Sequence, residues 1–244
     1  MSTQIRKSVE VVLPVFNEEK ILESSVIQVV EYLRLQDLFS WRVVIADNAS
    51  TDRTREVASQ LSDRFHGEVY VHHLDKKGRG RALHEVWTSS MADVNAYMDI
   101  DLSTNLGHFV PMVLPLLAGE YHVATGSRLL KQSKVIRNLD REILSRSYNF
   151  VIKVFFPSRR FADAQCGFKA ISREAASVLL PLVKDPSWFF DTELLLKAEH
   201  KGYRIFEIPV EWTEDLDSRV RIFSTVVEDI AGLVRVRSEL FRTK

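Results

Sequence analysis

Short apolar runs recur through the first half of the chain, each ending in a polar cluster and followed by apolar residues at helical spacing. Val9-Glu10-Val11-Val12-Leu13-Pro14-Val15 reads as a buried strand. Asn17 is then placed to cap a helix that begins at Glu18 and Glu19 and carries Val26, Val29, Val30 and Leu33 on one face. Trp41–Ile45 reads as a second strand before a helix through Val57, Ala58 and Leu61. Glu68–Leu74 is a third, before a helix with Leu83, Val86 and Trp87. A fourth apolar run ends at Asp99-Ile100-Asp101. Repeated strand–helix units imply right-handed crossovers, and so an α/β fold on a mostly parallel twisted sheet with helices on both faces.

The second half continues with a helix around Phe109–Leu117 and a strand Tyr121–Thr125 that ends in Gly126-Ser127-Arg128. A basic segment, Lys131 to Arg146, leads into a helix bearing Ile143, Leu144, Tyr148, Val151, Ile152 and Phe155. Asp163-Ala164-Gln165-Cys166-Gly167-Phe168-Lys169 heads a short apolar strand. Trp188-Phe189-Phe190 opens a further helix with Asp191 and Glu193, and its aromatic residues read as core. Tyr203–Trp212 alternates as one strand, and Arg221–Leu240 reads as an amphipathic terminal helix that packs on the core, with a membrane-surface role as the minority reading.

In a parallel sheet all strand ends of one sense share an edge. That edge would bring together Asn17 and Glu18, Asp47 and Asn48, Lys77 and Arg79, and Asp99 and Asp101. Amides and acids suited to a base and ribose would then lie beside cations and a carboxylate pair suited to a diphosphate and a hard divalent cation, Mg²⁺ or Mn²⁺. The constellation points to a nucleotide diphosphate compound. Gly78-Arg79-Gly80 alone is as consistent with a solvated basic turn as with phosphate contact.

Composition narrows the field further. The 244 residues carry 33 basic and 33 acidic side chains, so no net charge draws the chain to nucleic acid. A single cysteine, Cys166, excludes an intramolecular disulfide, fits a reducing compartment, and reads as a small buried apolar residue. Residues 1–8 lack the apolar core of a signal peptide, and no apolar run reaches the roughly eighteen residues a membrane span needs. The expectation is a cytoplasmic protein, with peripheral contact at a membrane, or a membrane-protein partner, left open.

Pro14-Val15-Phe16-Asn17-Glu18, Asp47 to Thr54, Asp99-Ile100-Asp101, Gly126-Ser127-Arg128 and Asp163–Lys169, in that order, resemble the inverting GT-A glycosyltransferases of family 2. Within it they look most like the dolichyl- or polyprenyl-phosphate glucosyl- and mannosyltransferases. The resemblance implies one catalytic domain over 1–244: a nucleotide-sugar-binding half (9–128), an acceptor half (129–220) and a C-terminal helix (221–244). It implies that Pro14, Phe16, Glu18, Asp47 and Asn48 hold the base and ribose, and that Asp99 and Asp101 bind the metal with help from Ser103. Arg128 and Arg141 would face the diphosphate or lipid phosphate, as Arg79 would from its place on the shared edge, and Ser218-Arg219-Val220 would close over the donor. Asp163, Gln165, Asp191 and Glu193 would stand beside the sugar and acceptor. Asn48 and Asn105 depart from the acids many relatives carry.

The implied reaction moves a hexose from a UDP- or GDP-sugar to a polyprenyl or dolichyl phosphate with inversion. A phosphate acceptor is already ionised near neutral pH. An alcohol would need one of Asp163, Asp191 or Glu193 as base. Two alternatives stay open at this point: a glycosyltransferase with a soluble or saccharide acceptor, and a non-catalytic nucleotide-sugar-binding protein. A nucleotidyltransferase is disfavoured, because Pro14-Val15-Phe16-Asn17 is not a glycine-rich activating loop.

Overall fold

A computed structural model of the chain describes residues 6–214 and 222–242. In chain order its elements are β1 (Ser8–Val15), α1 (Leu22–Arg34), β2 (Ser40–Asp47), α2 (Thr54–Arg64), β3 (Val69–His73), α3 (Arg79–Ser89) and β4 (Val94–Met98). There follow α4 (Phe109–Leu117), β5 (Val123–Ser127), β6 (Lys134–Ile136), α5 (Leu139–Phe155), β7 (Phe168–Ser172) and α6 (Arg173–Leu179). The last are α7 (Phe190–His200), β8 (Ile205–Pro209), β9 (Glu211–Thr213) and α8 (Ile222–Arg242).

Seven strands form one sheet in the order β3-β2-β1-β4-β7-β5-β8. β1 pairs in parallel with β2 and β4, β2 with β3, and β5 with β8; β7 alone runs antiparallel, between β4 and β5. Because β7 opposes both its neighbours, β5 points the same way as β4. The carboxyl ends of β1 to β5 and the entry into β7 therefore share one edge.

Alternation sets the two faces. Val9, Val11, Leu13 and Val15 of β1 pack towards α1, α2 and α4, while Val12 faces the layer containing Leu83, Val86 and Trp87 of α3. Burying one such side chain contributes roughly 1.5–3 kcal/mol, and a one-residue slip would exchange every one of them between faces, so the register is strongly specified.

Two expected elements differ. Asn17 does not cap a helix: its backbone is left-handed (φ 57), its side-chain oxygen accepts from Thr51 N–H at 2.8 Å, and α1 starts only at Leu22. Glu18 N–H is taken by the Thr54 hydroxyl at 2.8 Å, so the segment is drawn onto the β2–α2 loop before it can wind. Tyr203–Trp212 is two strands. β8 ends at Pro209, and β9 leaves the main sheet to pair with β6. Among the described residues no helix is long and apolar enough to cross a membrane.

Candidate active site

The three non-glycine residues with left-handed backbone among those described are Asn17 (φ 57), Ala49 (φ 58) and Leu102 (φ 51), and each lies just past a strand end on the shared edge. Ala and Leu hold that conformation at a cost of order 1 kcal/mol each, and strain of this kind collects where loops are bent around a ligand.

At the centre of the edge, Asp99 follows β4. Its Oδ1 accepts from Arg79 Nη2 at 3.0 Å, and its backbone N–H donates to Gly167 O at 3.0 Å. The carboxylate lies where a side chain at 167 would stand, since an ideal Cβ there would sit 1.7 Å from Asp99 Oδ2. Asp101 is exposed at the turn, where its Oδ1 accepts from Ser103 N–H at 3.0 Å. Ser103 Oγ is buried without a hydrogen-bond partner. Asp99, Asp101, Ser103, Gly167 and Trp212 line a cavity of about 10 Å³, the size of one water or small ion.

Arg79 does not belong to a solvated turn. It is 9% exposed, donates to Asp191 Oδ2 (2.8 Å) and to Tyr97 Oη (3.0 Å), and lies between the Tyr97 and Trp188 rings. Gly78 and Gly80 let α3 start this close: a Cβ would fall 2.5 Å from Pro186 O and 2.7 Å from Asp185 O respectively. Tyr97 Oη donates to Asp191 Oδ2 at 2.6 Å, and Lys169 Nζ stands 3.7 Å from the same oxygen. Burial works to raise the Asp191 carboxyl, but the Lys169 and Arg79 charges outweigh it and the pKa falls. Asp191 is thus a carboxylate that orients Arg79, and through it Asp99.

Beyond β5, Arg128 and Asp163 form a closed fork: Nε to Oδ2 at 2.7 Å, Nη2 to Oδ1 at 3.0 Å, and Arg128 N–H to Oδ2 at 3.0 Å. Gln165 N–H donates to Asp163 Oδ1 at 3.1 Å. Asp163 is fully buried; burial works to raise its pKa, but the charge and hydrogen bonds of Arg128 bring it down to about 2. A carboxylate so held positions Arg128, whose guanidinium also lies over Trp212, and does not accept protons near neutral pH. Cys166 beside it is inert, its thiol pushed up to about 12 by burial.

At the other end of the edge, Asp47 Oδ2 pairs with His73 Nδ1 at 2.6 Å and Oδ1 accepts from Ser50 N–H at 3.1 Å. Asn48 Oδ1 accepts from Gly78 N–H at 2.6 Å, tying β2 to the start of α3. Pro14 is buried in β1 opposite Ala46, Glu18 is half-buried, and Phe16 carries Lys77 Nζ over its ring at 3.6 Å.

Two expected residues stand apart. Glu193 lies two positions along α7 from Asp191 and turns away, to Lys197 (2.5 Å) and Arg235 (2.7 Å), joining α7 to α8. Arg141 pairs with Glu214 at 2.6 Å. Arg219, with Ser218 and Val220, lies outside the described residues. Trp188, expected in the core, is 43% exposed over Arg79, whereas Phe189 and Phe190 are buried. Sequence reasoning assigned nothing to His73, Tyr97 or Lys169. The first meets Asp47 through the β2–β3 register, which no local pattern reveals.

The sequence pattern of glycosyl transferase family 2 matches residues 10–180. The chain belongs to this family. It is 36% identical, over 96% of its length, to glycosyltransferase AglD of Haloferax volcanii, of which it spans 36%. It is 32% identical, over 85% of its length, to the dolichyl-phosphate beta-glucosyltransferase of Homo sapiens, of which it spans 68%. Among solved structures, glucosyl-3-phosphoglycerate synthase from Mycobacterium tuberculosis superposes with a TM-score of 0.70 at 22% identity, covering 96% of this chain and 80% of that one. The fold of this family 2 glycosyltransferase is GT-A.

Proposed function

We propose that the chain transfers a hexose, glucose in the first instance, from a nucleotide diphosphate sugar to dolichyl or another polyprenyl phosphate, with inversion at the sugar carbon. The relatives named for dolichyl phosphate and for beta-glucosyl transfer support acceptor and product. The observation that carries the reading is the convergence of Asp99 and Asp101 with Arg79 and Gly167 at the sheet edge. In this reading the whole chain acts as one catalytic unit.

The residues present suit a divalent cation. Two carboxylates and a buried hydroxyl without a partner are hard oxygen donors, around a cavity of ion size. Among the described residues no cluster of three or more His, Cys, Asp or Glu could hold a metal alone, so water and substrate phosphates would complete the shell. The related synthase has been crystallised with Mn²⁺, UDP and UDP-glucose. Mg²⁺ or Mn²⁺ at Asp99, Asp101 and Ser103 would neutralise charge on the leaving diphosphate.

The chain's own residues do the rest. Arg79, held by Asp191 and Tyr97, keeps the Asp99 carboxylate aimed outward. Arg128, held by Asp163, places a fixed cation at the end of β5 where phosphate charge gathers. Phe16, Glu18, Asp47 and Asn48 would cradle base and ribose. A phosphate acceptor needs no general base, which agrees with Asp163 and Asp191 being held ionised by cations.

The test is transfer of labelled hexose from UDP-glucose and GDP-mannose to dolichyl phosphate, with and without Mn²⁺. The expected result is a β-linked lipid product that depends on metal and is reduced at least about a hundredfold by Asp101→Ala. An α-linked product would refute inversion, and full turnover by Asp101→Ala would refute the metal assignment.

A further inference from the structure

Asp47 has no surface of its own. Its side chain is 0% exposed, with Oδ2 against His73 Nδ1 at 2.6 Å and Oδ1 accepting from Ser50 N–H at 3.1 Å. A ligand meets instead the group that covers it. His73 stands at the end of β3, level with Asp47 in the parallel β2–β3 register, and its side chain is 27% exposed. The other ring nitrogen, Nε2, lies 3.3 Å from Nη1 of Arg55, an exposed residue in the first turn of α2. A guanidinium has donors only, so Nε2 is the acceptor and the ring proton sits on Nδ1, where it is donated to Asp47. The carboxylate on one side and the cation on the other thus select one tautomer of a neutral imidazole.

That tautomer gives the outer side of the site a definite pattern, an N–H donor from Arg55 beside the acceptor lone pair of His73. Keto nucleobases carry the complement: uracil offers O4 beside N3–H, and guanine offers O6 beside N1–H. Cytosine and adenine carry the reverse, an amino donor beside a ring-nitrogen acceptor, which would set donor against donor and lone pair against lone pair. The place fits as well. β3, β2 and β1 are neighbours and strands lie about 4.8 Å apart, so His73 stands roughly 10 Å along the edge from Phe16, just past β1, with Asp47 and Asn48 between them. That is about the span of a nucleoside.

We propose that His73 is the specificity-determining residue for the base: its Nε2 accepts the ring N–H of a keto nucleobase in place of the Arg55 N–H, and the guanidinium donates to the adjoining carbonyl. Asp47 is then a positioning residue that acts through His73. The proposal rests on the reading of the donor as a nucleotide diphosphate sugar and adds which class of base it carries and which residues choose it.

The test is calorimetric binding of UDP, GDP, CDP, ADP and inorganic pyrophosphate to the full chain, each with Mn²⁺. UDP or GDP is expected to bind at least about tenfold more tightly than CDP and ADP, because the wrong edge leaves desolvated donors and lone pairs unpaired. His73→Leu should lose that preference while pyrophosphate binds as before. Asp47→Asn should lose it as well: Ser50 N–H keeps the amide oxygen, the amide N–H₂ then faces Nδ1, and the His73 proton moves to Nε2. Arg55→Ala, an exposed change that leaves the core untouched, should cut the preference at least about threefold. Equal binding of all four nucleotides by the unaltered chain overturns the proposal. So does a preference undiminished in His73→Leu, which would return the base to Asp47 directly. Loss of nucleotide and pyrophosphate binding together in both His73→Leu and Arg55→Ala assigns the pair to structure alone and overturns it too. No binding of any nucleotide by the unaltered chain overturns the donor reading itself, and the assignment of His73 with it.

Discussion

Gly167 is where the chemistry of the site and the packing of the backbone meet. Gly167→Ala places a Cβ 1.7 Å from Asp99 Oδ2, so the carboxylate must leave or β7 must shift. We expect transfer to fall at least about a hundredfold while the thermal midpoint drops by only a few degrees, because the displaced group is at a strand end. Parallel kinetics and thermal denaturation check this, and equal loss in both would assign Gly167 to folding alone. Asp163 makes the opposite prediction. With Arg128 buried against it, Asp163→Asn strands a guanidinium and should cost about 3–5 kcal/mol, whereas Arg128→Met with Asp163→Leu should recover much of that stability but no activity. The fork also has a pH signature. The Asp163 carboxyl is held at about 2, below its ordinary 3.8, so its contribution is fully present above about pH 4 and is lost as pH falls towards 2. That loss is about 2 kcal/mol, readable by urea titrations across the acid range. The placement of the Asp99/Asp101 pair just past a strand end was legible at this scale because it depends on local order, two carboxylates at the end of an apolar run. His73, Tyr97 and Lys169 were not, because each acquires its role from a partner more than twenty residues away.

At the scale of elements, α7 shows how one helix serves two places. Asp191 and Glu193 are both buried in its first turn, yet one orients Arg79 and the other binds Lys197 and Arg235. Two residues along a helix turn the side chain by roughly 200°, so a pair that reads as one acidic motif is divided between two faces. α8 packs through Leu233 and Val236, with Gly232 against Phe189, and leaves Val227, Ile230, Val234 and Phe241 exposed. It also buries Asp229, whose carboxyl is pushed up to about 7 by burial, with Asp185 and Glu228 adding repulsion against the hydrogen bond from Tyr148. A carboxyl whose folded pKa is raised loses stability as pH rises from its ordinary 3.8 to about 7, and carries the penalty above that. Asp229→Asn should therefore stabilise the protein by on the order of 1–2 kcal/mol at about pH 8 after discounting for solvent screening, and change little at about pH 4. Melting curves at the two pH values decide it; an equal effect at both would assign Asp229 a purely steric role.

Across the whole molecule, the site exists because one sheet collects strand ends from both halves of the chain. β1, β2 and β4 bring Phe16, Asp47, Asn48, Asp99 and Asp101, while β5, running the same way, brings Arg128, and the entry into the reversed β7 brings Asp163–Gly167. A ligand that spans this edge should stabilise all of it together. At a concentration about a hundred times its dissociation constant, a true donor adds about 2.7 kcal/mol by mass action, a midpoint rise of roughly 5–10 °C for a chain of this length. A calorimetric panel of UDP, GDP and their glucose and mannose conjugates with Mn²⁺ reads it. A shift from one nucleotide alone names the donor, and no shift from any would argue against a nucleotide-sugar site.

What the amino-acid order determined by itself is what depends on neighbours a few positions apart: apolar period, strand ends rich in acids and amides, a carboxylate pair, one inert cysteine, and the ordered motifs that mark family 2. What only the tertiary structure decided is what depends on register and direction. The antiparallel β7 is inserted between β4 and β5 and leaves β5 pointing to the common edge, the β2–β3 pairing sets His73 on Asp47, and Pro209 ends β8 so that β9 can cross to β6. Such pairings are chosen by the sum of burial on both faces of the sheet and by the need to neutralise Arg79, Asp163 and Asp191 away from water, and no single segment carries that information.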